Sequence, residues 1–401
     1  MREVFTGNFT QQQPIPEEAI ERAVEVMRSG RLHRYNLAPD DVGEVGRLEQ
    51  EFAAYTGANY ALAVASGGYA MSTALRSLDI QPGEKVLTNA FTLAPVPGAI
   101  ASVGAQPLFV GVTENLTIDL DDLAAKADQS RILMLSHMRG HICDMERLMA
   151  ICDEAGITVI EDCAHTMGAY WKGIPSGRFG TIGCYSMQTY KHVNSGEGGF
   201  LITDDELIAA KAIMLSGSYM LYGRHGTPPP PEVFEQIKYH MPNVSGRMDH
   251  LRAAILRPQL AALDAQCEAW NARYRVVEDG VSGTPGMVMT VRPEEEQYVG
   301  SSIQFLLLDW NEAAIADVIG RCMERGVELK WFGGDEPKGF TSRYDSWRYA
   351  PCAAMPATDR ILKGVLDMRM PLTFSLDDCA LIARIIREEI SDVWHGQKAA
   401  E

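Results

Sequence analysis

Residues 157–203 read ITVIEDCAHTMGAYWKGIPSGRFGTIGCYSMQTYKHVNSGEGGFLIT, and the fold is decided within them. The apolar run Ile157 to Ile160 ends in Glu161-Asp162, so a buried strand delivers an acid to its C-terminal edge. A second run, Thr181 to Tyr185, ends in Ser186, and Lys191 follows five residues later. Gly196-Glu197-Gly198-Gly199 then turns into a third short strand, Phe200 to Thr203, and these glycines suit a tight turn better than a phosphate cradle. A strand-borne Asp, a Ser-x-x-x-x-Lys and a glycine turn fit a site for pyridoxal phosphate (PLP). There the lysine forms a Schiff base, the Asp salt-bridges the pyridine nitrogen and the serine hydroxyl reaches the phosphate.

The flanking sequence supplies a sheet to carry these groups. Pro16-Glu17-Glu18 opens a helix with Ile20, Ala23, Val24 and Met27 on one face and Gly30 as its stop. Arg31 to Asn36 reads either as a solvated connector or as a substrate-contacting loop. A second helix presents Leu48, Phe52 and Tyr55 and stops at Gly57. Tyr60 to Ala65 is a strand, followed by Ser66-Gly67-Gly68 and a helix through Met71, Leu75 and Leu78. That strand–glycine–helix order aims free N–H groups and a helix N-terminus at an anion. Further strands are predicted at Lys85–Thr88, Pro107–Val110 and Arg131–Ser136, with helices between them. Alternation of this kind predicts a mostly parallel sheet with helices on both faces and a ligand at the C-terminal strand edge. Gly67, His137, Asp162 and Ser186 all follow strand ends, which gathers them onto one rim.

Beyond Thr203 the pattern changes. A helix runs from Asp205 to about Ser216, and Pro228 to Pro231 predict a stiff exposed loop. A long helix from Asp249 to Leu263, kinked by Pro258, leads into an α+β portion with helices at Glu268–Gly280, Asn311–Gly326 and Ser375–Val393. Strands are predicted there near Met287–Val291, Ser302–Leu308 and Val327–Lys330. The aromatic loop Trp331–Tyr349 is expected to place at least one side chain against the pocket. The expected division is an N-terminal arm and helix (1–30), a large domain (31–262) and a small C-terminal domain (263–401).

The 401 residues are 46% apolar and 22% charged, as in globular proteins, and carry a net charge of −17. With no compensating basic run, that charge excludes a nucleic-acid surface. No segment reaches the length needed to span a bilayer, and no signal sequence is read at the start, so a cytoplasmic location is expected. The eight cysteines are scattered without a CxxC pair, which suits reduced, buried thiols. His137, His141, Cys143 and His165 match no usual ligand spacing, so no metal site is expected.

Taken in order, the motifs are recognisable. Ser66-Gly67-Gly68, Pro82-Gly83-Glu84-Lys85-Val86, Gly104-Ala105-Gln106-Pro107 and His137-Met138-Arg139-Gly140 lead to Glu161-Asp162-Cys163-Ala164-His165. Ser186 with Lys191, Gly196–Gly199 and Arg247-Met248 before Ala253-Ala254 complete the series. From about Val45 to Leu263, and more faintly to the C-terminus, the chain resembles the DegT/DnrJ/EryC1/StrS sugar aminotransferases, a branch of the fold-type I PLP enzymes. The resemblance implies an α/β fold: a large domain with a mixed, mostly parallel sheet flanked by helices, plus a smaller α+β domain.

It also implies roles. Lys191 would hold the cofactor and shuttle the proton, with Asp162 on the pyridine nitrogen and His165 beside the ring. Ser186 and the amides of Gly67 and Gly68 would hold the phosphate, with Gln188 also at the cofactor. An asparagine from a second subunit completes the phosphate site in this family, and Asn243 is the matching candidate, making a homodimer with shared active sites. Two departures stand out. The usual ring-stacking aromatic is replaced by Thr92-Leu93, so Leu93 packs on the ring or Tyr69 or Phe91 takes over. Asn243 lies farther from Arg247 than in the usual Asn-x-Arg-Met. Some relatives carry histidine in place of the lysine and are dehydratases; here the register puts Lys191, not His192, at that position. The expected activity is therefore PLP-dependent amino transfer from glutamate, glutamine or another donor to a keto sugar, cyclitol or related polar ketone. The rivals are a PLP-dependent lyase, dehydratase or cyclase, and a non-catalytic PLP-binding regulator.

Overall fold

The computed structural model describes residues 2–400 and centres on a seven-stranded sheet. Across the sheet the strands run Tyr60–Val64, Gly199–Thr203, Ile182–Ser186, Thr158–Asp162, Ile132–Ser136, Lys85–Asn89 and Gln106–Val110. Gly199–Thr203 is antiparallel to both neighbours, and the remaining pairings are parallel. Successive side chains alternate between faces, so one strand feeds two cores. Leu133, Leu135 and Val159 join Phe52 and Phe200 on one side. Ile132, Met134 and Ile160 join Val64, Leu75 and Ile213 on the other. Coverage on both faces explains why these strands read as continuous apolar runs.

A second, antiparallel sheet runs Val288–Met289, Ser302–Leu306, Val365–Arg369 and Lys330–Trp331. The helices Leu263–Val281, Glu312–Glu324 and Leu376–Ala400 supply Val277, Ile315 and Ile386 to the apolar core shared with the large sheet.

Several expectations are corrected. Arg31–Asn36 is neither a solvated connector nor a substrate loop as a whole. Arg34 and Tyr35 are buried, and Arg34 forks onto the carboxylate of Glu49 at 3.1 and 2.9 Å while contacting His225 Nδ1 at 2.9 Å. The Tyr35 hydroxyl meets His225 Nε2 at 2.8 Å. The same network pins the proline segment, which is not a free loop: Pro229 is buried and Pro231 starts the helix Pro231–Ile237. Proline is suited to that first helical position because its missing N–H would be unpaired there anyway. In the first helix, Glu17–Ser29, Ala19 and Ala23 are the buried residues, while Ile20 and Met27 are exposed. The helix expected at 249–263 spans His250–Ala261 and turns at Ala262 directly into Leu263–Val281. Pro356–Lys363 and Val365–Arg369, absent from the sequence reading, form a helix and a central strand.

Candidate active site

The carboxyl ends of the parallel strands open into a cavity of about 490 Å³, within the roughly 300–1,000 Å³ usual for small-molecule sites. Asp162 ends the strand Thr158–Asp162 and lines it, while its neighbour Glu161 points to the opposite face, as the pleat requires. Glu161 is fully buried and saturated. Its oxygens accept the N–H groups of Gly177, Phe179 and Gly180 at 2.7–2.9 Å and meet His137 Nε2 at 2.9 Å. His137, Glu161 and Cys163 lie within metal-ligand reach of one another, but these hydrogen bonds give the trio a structural role behind the rim.

Asp162 is held by short donors. Ser136 Oγ donates to its Oδ2 at 3.0 Å, the Ala164 N–H donates to its Oδ1 at 3.1 Å, and Thr92 Oγ1 donates to Ser136 Oγ at 2.9 Å. Burial pushes the carboxyl above its ordinary value, opposed by Lys191 and by these donors. A carboxylate in that setting gains most from a buried cation placed against it.

Lys191 reaches into the same cavity and its Nζ lies 2.8 Å from His165 Nε2. The backbone N–H of Arg139 donates to His165 Nδ1 at 3.2 Å, so Nδ1 is bare and Nε2 carries the proton. Burial, reinforced by Lys191 and Arg139, holds His165 well below its usual range and therefore neutral. A neutral Nε2–H donates to Lys191 only when the amine itself is neutral. The amine is tuned to match: burial lowers it to about 7, helped by Arg139 and Arg369 and opposed by Asp162. A lysine poised near neutrality is a nucleophile and a proton carrier.

The anion end lies opposite. Helix Gly67–Ser77 begins at the rim, with Ser66 Oγ accepting the Tyr69 N–H at 3.1 Å as its cap. Gly67 must be glycine: a Cβ there would stand 2.9 Å from Ser186 Cβ and 3.2 Å from the Tyr185 carbonyl oxygen. This close approach sets the helix N-terminus beside the Ser186 hydroxyl, an arrangement that suits phosphate. The residues present thus fit PLP: a part-buried low-pKa lysine, a buried strand-end acid and a glycine cradle share one cavity.

Gly67, Gly68, Leu93, Asp162, His165, Ser186, Gln188 and Lys191 are all brought to its wall. Tyr69 is not. Its hydroxyl donates to the Leu215 carbonyl at 3.0 Å and its ring fills the space beside Gly246, where a Cβ would fall 2.0 Å from it. Phe91 is also turned away, edge-on to Phe332 at 5.2 Å, which leaves Leu93 as the residue of that trio on the cavity. Asn243 is exposed and lies outside the cavity of its own chain, with Oδ1 accepting the Ser245 N–H at 3.0 Å. The aromatic loop contributes Phe340 and Trp347 to the wall. Sequence reasoning missed Arg139 and Arg369, both on this wall. Arg139 was visible only as part of a motif, and Arg369 sits at the end of the unrecognised strand Val365–Arg369.

The DegT/DnrJ/EryC1/StrS aminotransferase family matches residues 13–387. A pleiotropic regulatory protein of Geobacillus stearothermophilus is 31% identical over 68% of this chain and 69% of its own length. A putative L-glutamine:3-amino-2,3-dideoxy-scyllo-inosose aminotransferase of Micromonospora echinospora is 30% identical over 71% of this chain and 67% of its own. The crystal structure of an aminotransferase from Psychrobacter cryohalolentis shares the fold, with a TM-score of 0.82 at 21% identity over 96% of this chain and all of that one.

Proposed function

This chain belongs to the DegT/DnrJ/EryC1/StrS aminotransferase family, whose members are PLP-dependent enzymes, and we propose that it moves an amino group from glutamate or glutamine to a keto sugar, cyclitol or related polar ketone. The observation that carries this reading is the pairing of Lys191 with a neutral His165 inside the cavity that Asp162, Ser186 and Gly67 share. PLP, when bound, would be held by Lys191 and would supply an electron sink for loss of the donor's Cα proton.

The chain's own groups divide the remaining work. Asp162 would hold the ring nitrogen, and the Ser136 hydroxyl and Ala164 N–H fix the direction of its carboxylate. The Gly67 and Gly68 amides and the Ser186 hydroxyl would hold the phosphate. Lys191 would move the proton at the donor's Cα, a role that its lowered pKa of about 7 supports. His165 donates Nε2–H to the free amine and so keeps its lone pair oriented. Leu93, on the cavity wall, would stand against the ring as an aliphatic in place of an aromatic. Asn243, exposed on its own subunit, completes the phosphate site of a second copy, so the working unit is a homodimer.

Reconstitution with PLP, followed by separate additions of glutamate, glutamine and alanine, tests the reading. The expected outcome is a visible absorption band that one donor bleaches, with one equivalent of 2-oxo acid released. A band that no donor alters would sink amino transfer and move elimination or cyclisation forward. No band at all would remove the cofactor assignment.

A further inference from the structure

Resting on the amino-transfer reading, one feature of the cavity wall goes beyond its effect on the Lys191 amine: it carries a cluster of cations. Arg139 and Arg369 both line the cavity, and Lys330 stands close behind them. All three converge on the ring of Phe340, at 5.2, 4.8 and 4.7 Å from its centroid respectively. The other contact of Arg369 is the face of Tyr190, at 3.6 Å. Beside Glu328, which acts on Lys330, the cluster is served by Asp367. It is fully buried, its Oδ1 accepts Gln304 Nε2 at 2.7 Å, and its Oδ2 lies 2.9 Å from Arg139 Nη2 without hydrogen-bond alignment.

Charge and donors are thus left over. Arg139 has buried Nε and Nη2 groups without a hydrogen-bond partner, and the contacts of the Arg369 side chain among the described residues are with the rings of Tyr190 and Phe340. Crowding is visible at Lys330, which burial, Arg369 and Arg139 push down to about 8 against the pull of Asp367. Arg139 also adopts a left-handed backbone conformation, φ 56°, which a non-glycine residue holds only when its surroundings impose it. A guanidinium with unmatched donors in a partly desolvated wall calls for a planar anion, and carboxylate matches its fork.

Both substrates of an amino-transfer cycle occupy the same cavity in turn. The donor brings a carboxylate, but a neutral acceptor would leave the Arg369 side chain without an anionic partner, and Arg139 with Asp367 alone, for half the cycle. The same wall carries the carboxylates of Asp162 and Glu197 and the polar Ser186 and Gln188, beside the apolar Met71, Leu93, Val96 and Trp347. We infer that the acceptor is a ring ketone bearing a carboxylate, which Arg139 and Arg369 bind while Lys330 supplies the charge behind them.

The test uses the full-length protein loaded with pyridoxamine phosphate and three ketones: 4-oxocyclohexanecarboxylate, its carboxamide, and the neutral polyol scyllo-inosose. Affinity is read by calorimetry and turnover by the return of the visible band. The acid should bind roughly 10- to 100-fold more tightly than either neutral ketone, the range of one charge-assisted fork. Arg369→Gln should remove that preference, and Lys330→Met should reduce it several-fold, so the outcome does not depend on a substitution at buried Arg139. Neutral ketones binding as well as the acid, or no measurable binding by any of them, would overturn the inference and leave the arginines to the donor alone. A preference kept in both variants would overturn the residue assignment. Loading with PLP before the series separates the two levels: no visible band fails the underlying reading, whereas a normal band with no acid preference fails this inference by itself.

Discussion

The reactivity of Lys191 is the most quantitative consequence of the structure. An ordinary lysine titrates near 10.5, whereas burial, with Arg139 and Arg369, lowers this amine to about 7. At pH 7 roughly half of Lys191 is therefore neutral, against about three in ten thousand for an unperturbed lysine, a gain of about 10³-fold in free amine. The assay is the rate of amine modification in the cofactor-free protein across pH 5 to 11, using a small aldehyde with borohydride trapping and peptide mass spectrometry. Modification at Lys191 should rise with a midpoint near 7, while surface lysines should still be rising above pH 9. Two substitutions fix the sign. Arg369→Gln removes a cation that disfavours the ammonium form, so the midpoint should move up. Asp162→Asn removes the acid that favours it, so the midpoint should move down. A Lys191 midpoint above about 9, or shifts in the reverse order, would refute the electrostatic account.

Other outcomes follow from the same contacts. Ser186→Ala should weaken cofactor binding about 5- to 20-fold, the scale of one hydroxyl-to-anion bond, as read by spectroscopic titration. Gly67→Ala places a methyl 2.9 Å from Ser186 Cβ and should cost about 1–3 kcal/mol of stability together with a larger loss of cofactor affinity, measured by thermal melts with and without PLP. His165→Ala should leave the visible band in place and slow the donor half-reaction by about 10²-fold, the lower end of general-acid–base effects. Arg34→Met strands Glu49 in the core without its guanidinium and should cost about 3–5 kcal/mol by denaturant unfolding. Glu49 is held at about 2 by Arg34 and His225 despite its burial. Because the folded value is depressed, its stabilisation is fully present above pH 4.5 and is lost as pH falls toward 2; the variant should flatten that part of the stability profile.

The large sheet was legible because its strands are buried on both faces and end in groups with no packing role. Asp162 and Ser186 close apolar runs, and Lys191 keeps a fixed distance from Ser186. The second sheet was harder. Val365–Arg369 reads VLDMR, with Asp367 and Arg369 inside or ending a strand, so neither apolar continuity nor alternation marks it. What holds it is tertiary: Gln304 and Arg139 supply partners for Asp367, and Arg369 turns to Tyr190 and Phe340. That is why the two arginines escaped a reading based on local pattern. Tyr69 was misjudged for a similar reason, since its neighbour Gly246 is far away in sequence and offers the space its ring fills. Arg34 looked like a loop residue until Glu49 and His225, from two other segments, closed around it.

The most direct test of the central claim is to identify the lysine that carries the cofactor. PLP-loaded protein is reduced with borohydride, digested, and the phosphopyridoxyl group located by mass spectrometry, with a parallel sample treated with glutamate or glutamine first. The account predicts the label on Lys191 alone, lost when the donor precedes reduction. Label on another lysine, or label on Lys191 that no donor displaces, would contradict it.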